Sequence, residues 1–185
     1  MTTPSKLQTG LRDLLLARSV TRGEFVLASG RRSSVYVDAR KTTMAGAGLT
    51  LIGALGLERL DARGWAPRAV GGLTLGADPV AYAIAAAANA RGRAIDAFSV
   101  RKSAKTHGTG RRIEGCFETG MPVVVIEDVI TSGGSARDAI AALREAGAQI
   151  LGVLALVDRQ EGGRAALEAD GVAVDACVTA TDLGL

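Results

Sequence analysis

The chain has 185 residues, 48% of them hydrophobic but only 3% aromatic, and a formal charge of +3. That length suits one domain with a sizeable core of Ala, Val, Leu and Ile, and the mild charge, with no face-sized basic run, argues against nucleic acid as a partner. No apolar run approaches the ~18 residues of a membrane span, the polar N-terminus lacks a secretory pattern, and Cys116 and Cys177 have neither metal-ligand spacing nor the numbers for a disulfide framework. A reducing cytoplasm and no membrane contact are the expectation.

From Ser5 to Ser19 apolar residues recur at helical spacing (Leu7, Leu11, Leu14, Leu15), with Ser5 placed to cap the helix. Glu24 to Ala28 and Ser34 to Ala39 read as two strands around Ser29, Gly30, Arg31 and Arg32, the turn chemistry of a hairpin. Met44 to Ala62 carries one long helical pattern. After Pro67 strands and helices alternate: strand Ala69 to Leu73, helix Asp78 to Asn89, strand Ile95 to Val100, a central strand from Val123, helix Ser135 to Ala146, strand Ile150 to Val157, a weak helix Arg164 to Ala169 and a last strand Val172 to Val178. Such alternation predicts an α/β fold with a mostly parallel sheet and helices on both faces, the hairpin and first helix forming a small cap over the strand ends.

Three stretches carry chemistry. VVVIEDVITSGGS, residues 123–135, is a buried β-branched run ended by Glu127 and Asp128, followed by a small polar turn in which Ser135 is a candidate helix cap. Loop amides and a helix start favour a phosphate. Two adjacent acids repel a phosphate unless they meet hydroxyls or a metal that the ligand brings, so a polyol phosphate carrying Mg²⁺ fits. Gly71 to Pro79, GGLTLGADP, is a second glycine-rich strand-to-helix connection, without the Gly-Lys of a Walker loop, whose amides suit a pyrophosphate. RKSAKTHGTGRRIE, residues 101–114, holds five cationic residues, the single histidine and almost nothing to bury. A mobile lid between two strands is expected there, with cations and a candidate acid to offer an anionic ligand.

Residues 123–135 resemble the phosphoribosyl-diphosphate (PRPP) motif of type I phosphoribosyltransferases, and FSVRKSAKTH, residues 98–107, resembles the catalytic loop of the orotate phosphoribosyltransferases. The similarity runs from the first helix to Asp158 and Arg159. It implies a single type I phosphoribosyltransferase-like domain over 1–185, with a small N-terminal hood at about 1–40, a PRPP-binding core at about 65–160 and a mobile catalytic loop at 101–114. It further implies transfer of the phosphoribosyl group of PRPP to orotate, giving orotidine 5′-monophosphate and pyrophosphate. By the same resemblance Arg101, Lys102, Lys105, His107, Glu127, Asp128, Val129, Ile130, Thr131, Ser132, Gly133, Gly134 and Ser135 bind PRPP. Arg101, Lys105, His107 and Asp128 are its catalytic residues, and Tyr36, Val37, Thr131 and Arg159 contact orotate. Mg²⁺ arrives mainly on the substrate, and the chain acts as a homodimer in which loop 101–114 completes the partner's site. A lysine frequent in that family is replaced by Ala28 and another by Gly76, and the acidic Asp78 in the same loop is a candidate Mg²⁺ contact. The alternatives are a transferase for a purine base and a non-catalytic PRPP-sensing regulator.

Overall fold

The structure, a computed structural model, describes residues 4–26, 32–103 and 112–185. The first helix, α1 (Lys6–Arg18), is capped as the sequence requires, the Ser5 side chain accepting from the Gln8 amide. Leu11 and Leu15 are fully buried, so truncating either to Ala should cost about 2–5 kcal/mol. Strands β1 (Val20–Val26) and β2 (Arg32–Val37) form a separate antiparallel pair, with a bulge between Arg22 and Phe25. Both lie earlier in the chain than the residue pattern suggests, because pairing rather than hydrophobicity sets their limits. Ala28, Ser29, Gly30 and Arg31 lie outside the described residues.

The helix expected over 44–62 is α3 (Gly46–Ala62), and a one-turn α2 (Arg40–Thr43) that the residue pattern does not give precedes it. Next come β3 (Ala69–Leu73), α4 (Ala77–Asn89), β4 (Asp96–Val100), β5 (Ile113–Gly115), β6 (Pro122–Ile130), α5 (Gly134–Glu145), β7 (Gln149–Asp158), α6 (Gly163–Ala169) and β8 (Val174–Thr179). The main sheet has the order β5-β4-β3-β6-β7-β8, parallel throughout except for β5, which runs antiparallel to β4 at the edge. Strand β5 is absent from the sequence expectation. It takes Ile113 and Glu114 out of the segment expected to form the lid, and Arg101 N donates to Arg112 O at 2.8 Å beside it.

Strand alternation divides the core in two. Val124 and Ile126 of β6 face the layer of α1, α3 and α4, while Val123 and Val125 face α5 and α6. Helix α1 thus packs into the main core, and the hairpin alone stands apart from the sheet. After β3 the chain moves outward to β4 and then returns to the other side of β3 at β6. The reversal leaves a crevice at the carboxyl ends of β3 and β6, where open α/β sheets bind ligands.

Candidate active site

A cavity of about 990 Å³ opens at that crevice, of the size that takes a small-molecule substrate. Its walls come from five places: Tyr36 to Arg40 at the end of the hairpin, Leu73 to Gly76 at the end of β3, Ser99 and Arg101 to Ser103 at the end of β4, Glu114 of β5, and Glu127, Asp128, Val129 and Ser135 at the end of β6 and start of α5.

The acidic pair belongs to the strand rather than ending it. Strand β6 continues to Ile130 because its ladder with β7 runs on through Glu127↔Ala155 and Ile130↔Asp158, which polar side chains do not interrupt. Glu127 is buried, and its carboxyl is pushed up to about 8, first by burial and then by the neighbouring Asp128. Both influences favour the protonated form of the carboxyl in the ligand-free protein. Asp128 Oδ1 accepts from the Val129 amide at 2.9 Å. Its carboxyl lies against the start of α4, where a Cβ on Gly76 would fall 2.5 Å from Oδ1. A side chain at 76 would require the Asp128 carboxyl to move aside.

The turn after β6 is built differently from the sequence expectation. Ser135 does not cap α5; it is the second helical residue, and Gly133 caps the helix with a left-handed φ of 83° and no side-chain bond. A Cβ there would also press on the carbonyl of Gly163 at 3.2 Å, so glycine answers both for the backbone angle and for the contact. Thr131 O accepts from Gly163 N at 2.9 Å, tying the turn to the start of α6. Ser135 reaches the cavity wall, whereas Ile130, Thr131, Ser132, Gly133 and Gly134 stand beside it without lining it.

Tyr36 lies on the wall, 42% exposed, its ring 5.6 Å from that of Phe25, and Val37 follows it there. Arg101 and Lys102 also face the cavity, with Arg101 Nε 3.3 Å from the Glu114 carboxylate. Lys105 and His107 lie outside the described residues. Arg159 follows β7, its amide bonded to Ile130 O, and does not line the cavity. Its guanidinium pairs with Glu161 at 3.0 Å, while the buried Nε has no hydrogen-bond partner within the described residues. Asp78 sits behind the wall. Ser99 Oγ donates to its Oδ1 at 2.7 Å and lies 2.9 Å from Tyr82 Oη, so this acid orients a cavity serine.

Among the described residues no three His, Cys, Asp or Glu side chains form a metal cage. The donors on the wall are the single carboxyls of Glu127, Asp128, Asp38 and Glu114. Such a set suits Mg²⁺ held by one or two carboxylates and a substrate's phosphates. The residues that sequence reasoning missed are Asp38, Arg40 and Glu114. They are distant in sequence from the motifs, and only the β2 end and the β4–β5 pairing bring them in.

A phosphoribosyl transferase domain model matches residues 46–174. The orotate phosphoribosyltransferase of Mycobacterium avium is 47% identical over 175 residues, 95% of either chain. The crystal structure of the Mycobacterium tuberculosis H37Rv orotate phosphoribosyltransferase with Fe(III) dicitrate matches at a TM-score of 0.86 and 45% identity, over 97% of this chain and 99% of that one. The structure of the same enzyme in complex with PRPP matches at 0.82 and 41%, over 97% and 99%. The acidic pair and the basic residues Arg101 and Lys102 around one cavity have their explanation in that likeness: the chain belongs to the orotate phosphoribosyltransferases, a branch of the phosphoribosyl transferase domain family.

Proposed function

We infer that the chain transfers the phosphoribosyl group of PRPP to orotate, forming orotidine 5′-monophosphate and pyrophosphate, and that both substrates meet in the cavity at the β3–β6 crevice. The observation that carries this is the adjacent pair Glu127 and Asp128 on the wall of a cavity closed on one side by Tyr36 and on another by Thr74 to Gly76. A ring nitrogen of orotate forms its bond to the ribose C1 as the bond to the diphosphate oxygen breaks. Glu127 and Asp128 hold the ribose hydroxyls and Thr131 to Ser135 take the 5-phosphate on amides and hydroxyls. Tyr36 stacks on the flat base with Val37 beside it, and the guanidinium of Arg159 reads an oxygen of the base. Bound Mg²⁺ would neutralise charge on the departing diphosphate. Arg101, Lys102, Lys105 and His107 serve that group, and the catalytic set is Arg101, Lys105, His107 and Asp128.

The single domain acts as a homodimer in the cytoplasm, the segment between β4 and β5 of one subunit completing the site of the other. Among the described residues no helix is long and apolar enough to cross a membrane. Asp78 is a weaker metal candidate than the wall carboxyls because Ser99 already occupies one of its oxygens. One experiment decides the reading: purified protein with PRPP and Mg²⁺ should consume orotate, followed by its ultraviolet absorbance. Orotate left unchanged while adenine or hypoxanthine is converted would establish the purine alternative. Binding of PRPP with no conversion of any base would establish the regulator.

A further inference from the structure

We propose that Arg40 is a further binding residue of this site, a cation on the hairpin side of the cavity that grips the diphosphate of PRPP; this rests on the reading of the cavity as the PRPP site. Arg40 opens the one-turn helix α2, and that turn is fixed from below. The Asp38 amide donates to Ser19 O at 2.9 Å, the hydroxyls of Ser19 and Thr42 lie 2.7 Å apart in the interior, and Thr42 and Thr43 are fully buried. The side chain is fixed as well. Asp38 takes Nε at 2.8 Å on Oδ1 and Nη2 at 3.3 Å on Oδ2, and its Oδ1 also accepts from the Arg40 amide at 3.2 Å.

This fork uses one edge of the guanidinium. Among the described residues no other acceptor bonds to it, so both Nη1 hydrogens and one on Nη2 stay available, in a group that is 54% exposed and lines the cavity with Gly76 and Asp128. The Arg40 pKa is raised, chiefly by Asp38, and Asp128 adds to it across the cavity, so the two groups are near enough to interact. A guanidinium oriented before the ligand arrives loses little freedom on binding, and its planar donors match phosphate oxygens in pairs.

Charge decides which anion it serves. Four carboxyls line the walls, and the turn of Thr74, Leu75 and Gly76 brings no cation of its own. Of the other described cations on the wall, Arg101 is already beside Glu114. A diphosphate is the most highly charged group of either substrate, and Arg40 shares the cavity wall with the glycine-rich turn and lies within reach of the charge of Asp128. Asp38 is then a positioning residue for Arg40.

The test compares wild type with Arg40→Ala and Arg40→Lys by calorimetric titration with PRPP, with Mg²⁺-pyrophosphate, and with orotidine 5′-monophosphate, which has no diphosphate. Arg40→Ala should weaken PRPP and pyrophosphate by about tenfold or more and leave the nucleotide within about twofold. Arg40→Lys, keeping the charge but not the fork, should recover only part of the loss. Pyrophosphate binding as tight in Arg40→Ala as in wild type overturns the assignment, and so does a loss confined to the nucleotide. Should Arg40→Ala fail to fold in a thermal melt, a folded Arg40→Lys with unaltered pyrophosphate affinity overturns it equally. Wild-type protein that binds neither PRPP nor pyrophosphate would instead sink the reading of the cavity itself.

Discussion

Glu127 and Asp175 are buried to almost the same degree, 7% and 6% exposed, on strands of one sheet. Asp175 is held on every side: Arg59 Nη2 lies 2.6 Å from Oδ1 and Nε 3.0 Å from Oδ2, and the Ala176 amide donates to Oδ1 at 2.9 Å. Glu127 has no cation paired with it among the described residues, and its nearest charged neighbour is another acid. A carboxyl that serves the fold has been given its partners. One left buried with a repelling neighbour, at the mouth of a cavity, is kept for a ligand. The same contrast separates Asp158, held by Arg164 Nε at 2.8 Å and the Gln160 amide at 2.8 Å, from Asp128.

The contrast breaks most visibly in turnover. Asp128→Asn should lower kcat by on the order of 10²–10³, the loss for one well-placed transition-state group, with the melting temperature nearly unmoved. Asp175→Asn should do the opposite. Removing one partner of a buried pair costs about 3–5 kcal/mol, and the low end applies because the Arg59 side chain is 30% exposed. The protein should melt about 6–12 °C lower, at about 2–4 °C per kcal/mol, while turnover per folded molecule is retained. Loss of activity without loss of stability at Asp175 would show that the two carboxyls are not divided in this way.

The pH dependence sharpens the same division. The folded-state pKa of Glu127 lies at about 8, above its ordinary value of 4.5. Between those values the folded protein holds a proton that the unfolded chain has released. Since stability rises with pH only where the unfolded state binds more protons, this group lowers stability as pH climbs through that window, and its effect levels off above about 8. The urea midpoint of the ligand-free protein should therefore fall between pH 5 and pH 8, and Glu127→Gln should flatten the slope. The effect should be smaller than that of Asp175→Asn, because water in the open cavity helps Glu127 to ionise. An identical slope in wild type and Glu127→Gln would remove the assignment.

Much of this was legible in residue order alone. The alternation after Pro67 predicts the parallel strands, and the stretch 123–135 locates the acidic pair and the turn, because buried β-branched runs and glycine turns are local signals. The extension of β6 to Ile130 was not, since backbone pairing with β7 carries it past two acids that read as a strand end. Helix α2 and β5 are too short to show a period. Arg40 shows the larger obstacle: in sequence it is an ordinary charge after a strand, and only the return of the chain through α3 and β3 to β6 sets it on the same cavity as Asp128.

The smallest effect concerns an ion pair as close as that of Arg59 and Asp175 but lying in water. Arg137 Nε is 2.7 Å from Asp170 Oδ2, with the two side chains 46% and 45% exposed, and Nη2 also donates to Ala166 O at 3.0 Å. An exposed pair of this kind gives about 0.2–1 kcal/mol, since solvent screens the attraction and two long side chains lose freedom. Arg137→Ala should accordingly lower the melting temperature by no more than about 4 °C. At 1 M salt, where the screening length falls to about 3 Å, the electrostatic part of that difference should largely vanish. The deficit of Asp175→Asn should persist at the same salt, because much of it is the cost of leaving Arg59 without its carboxylate in a half-buried site. Equal salt sensitivity in the two variants would mean that burial, on which the division between Glu127 and Asp175 depends, does not govern the worth of a carboxylate in this protein.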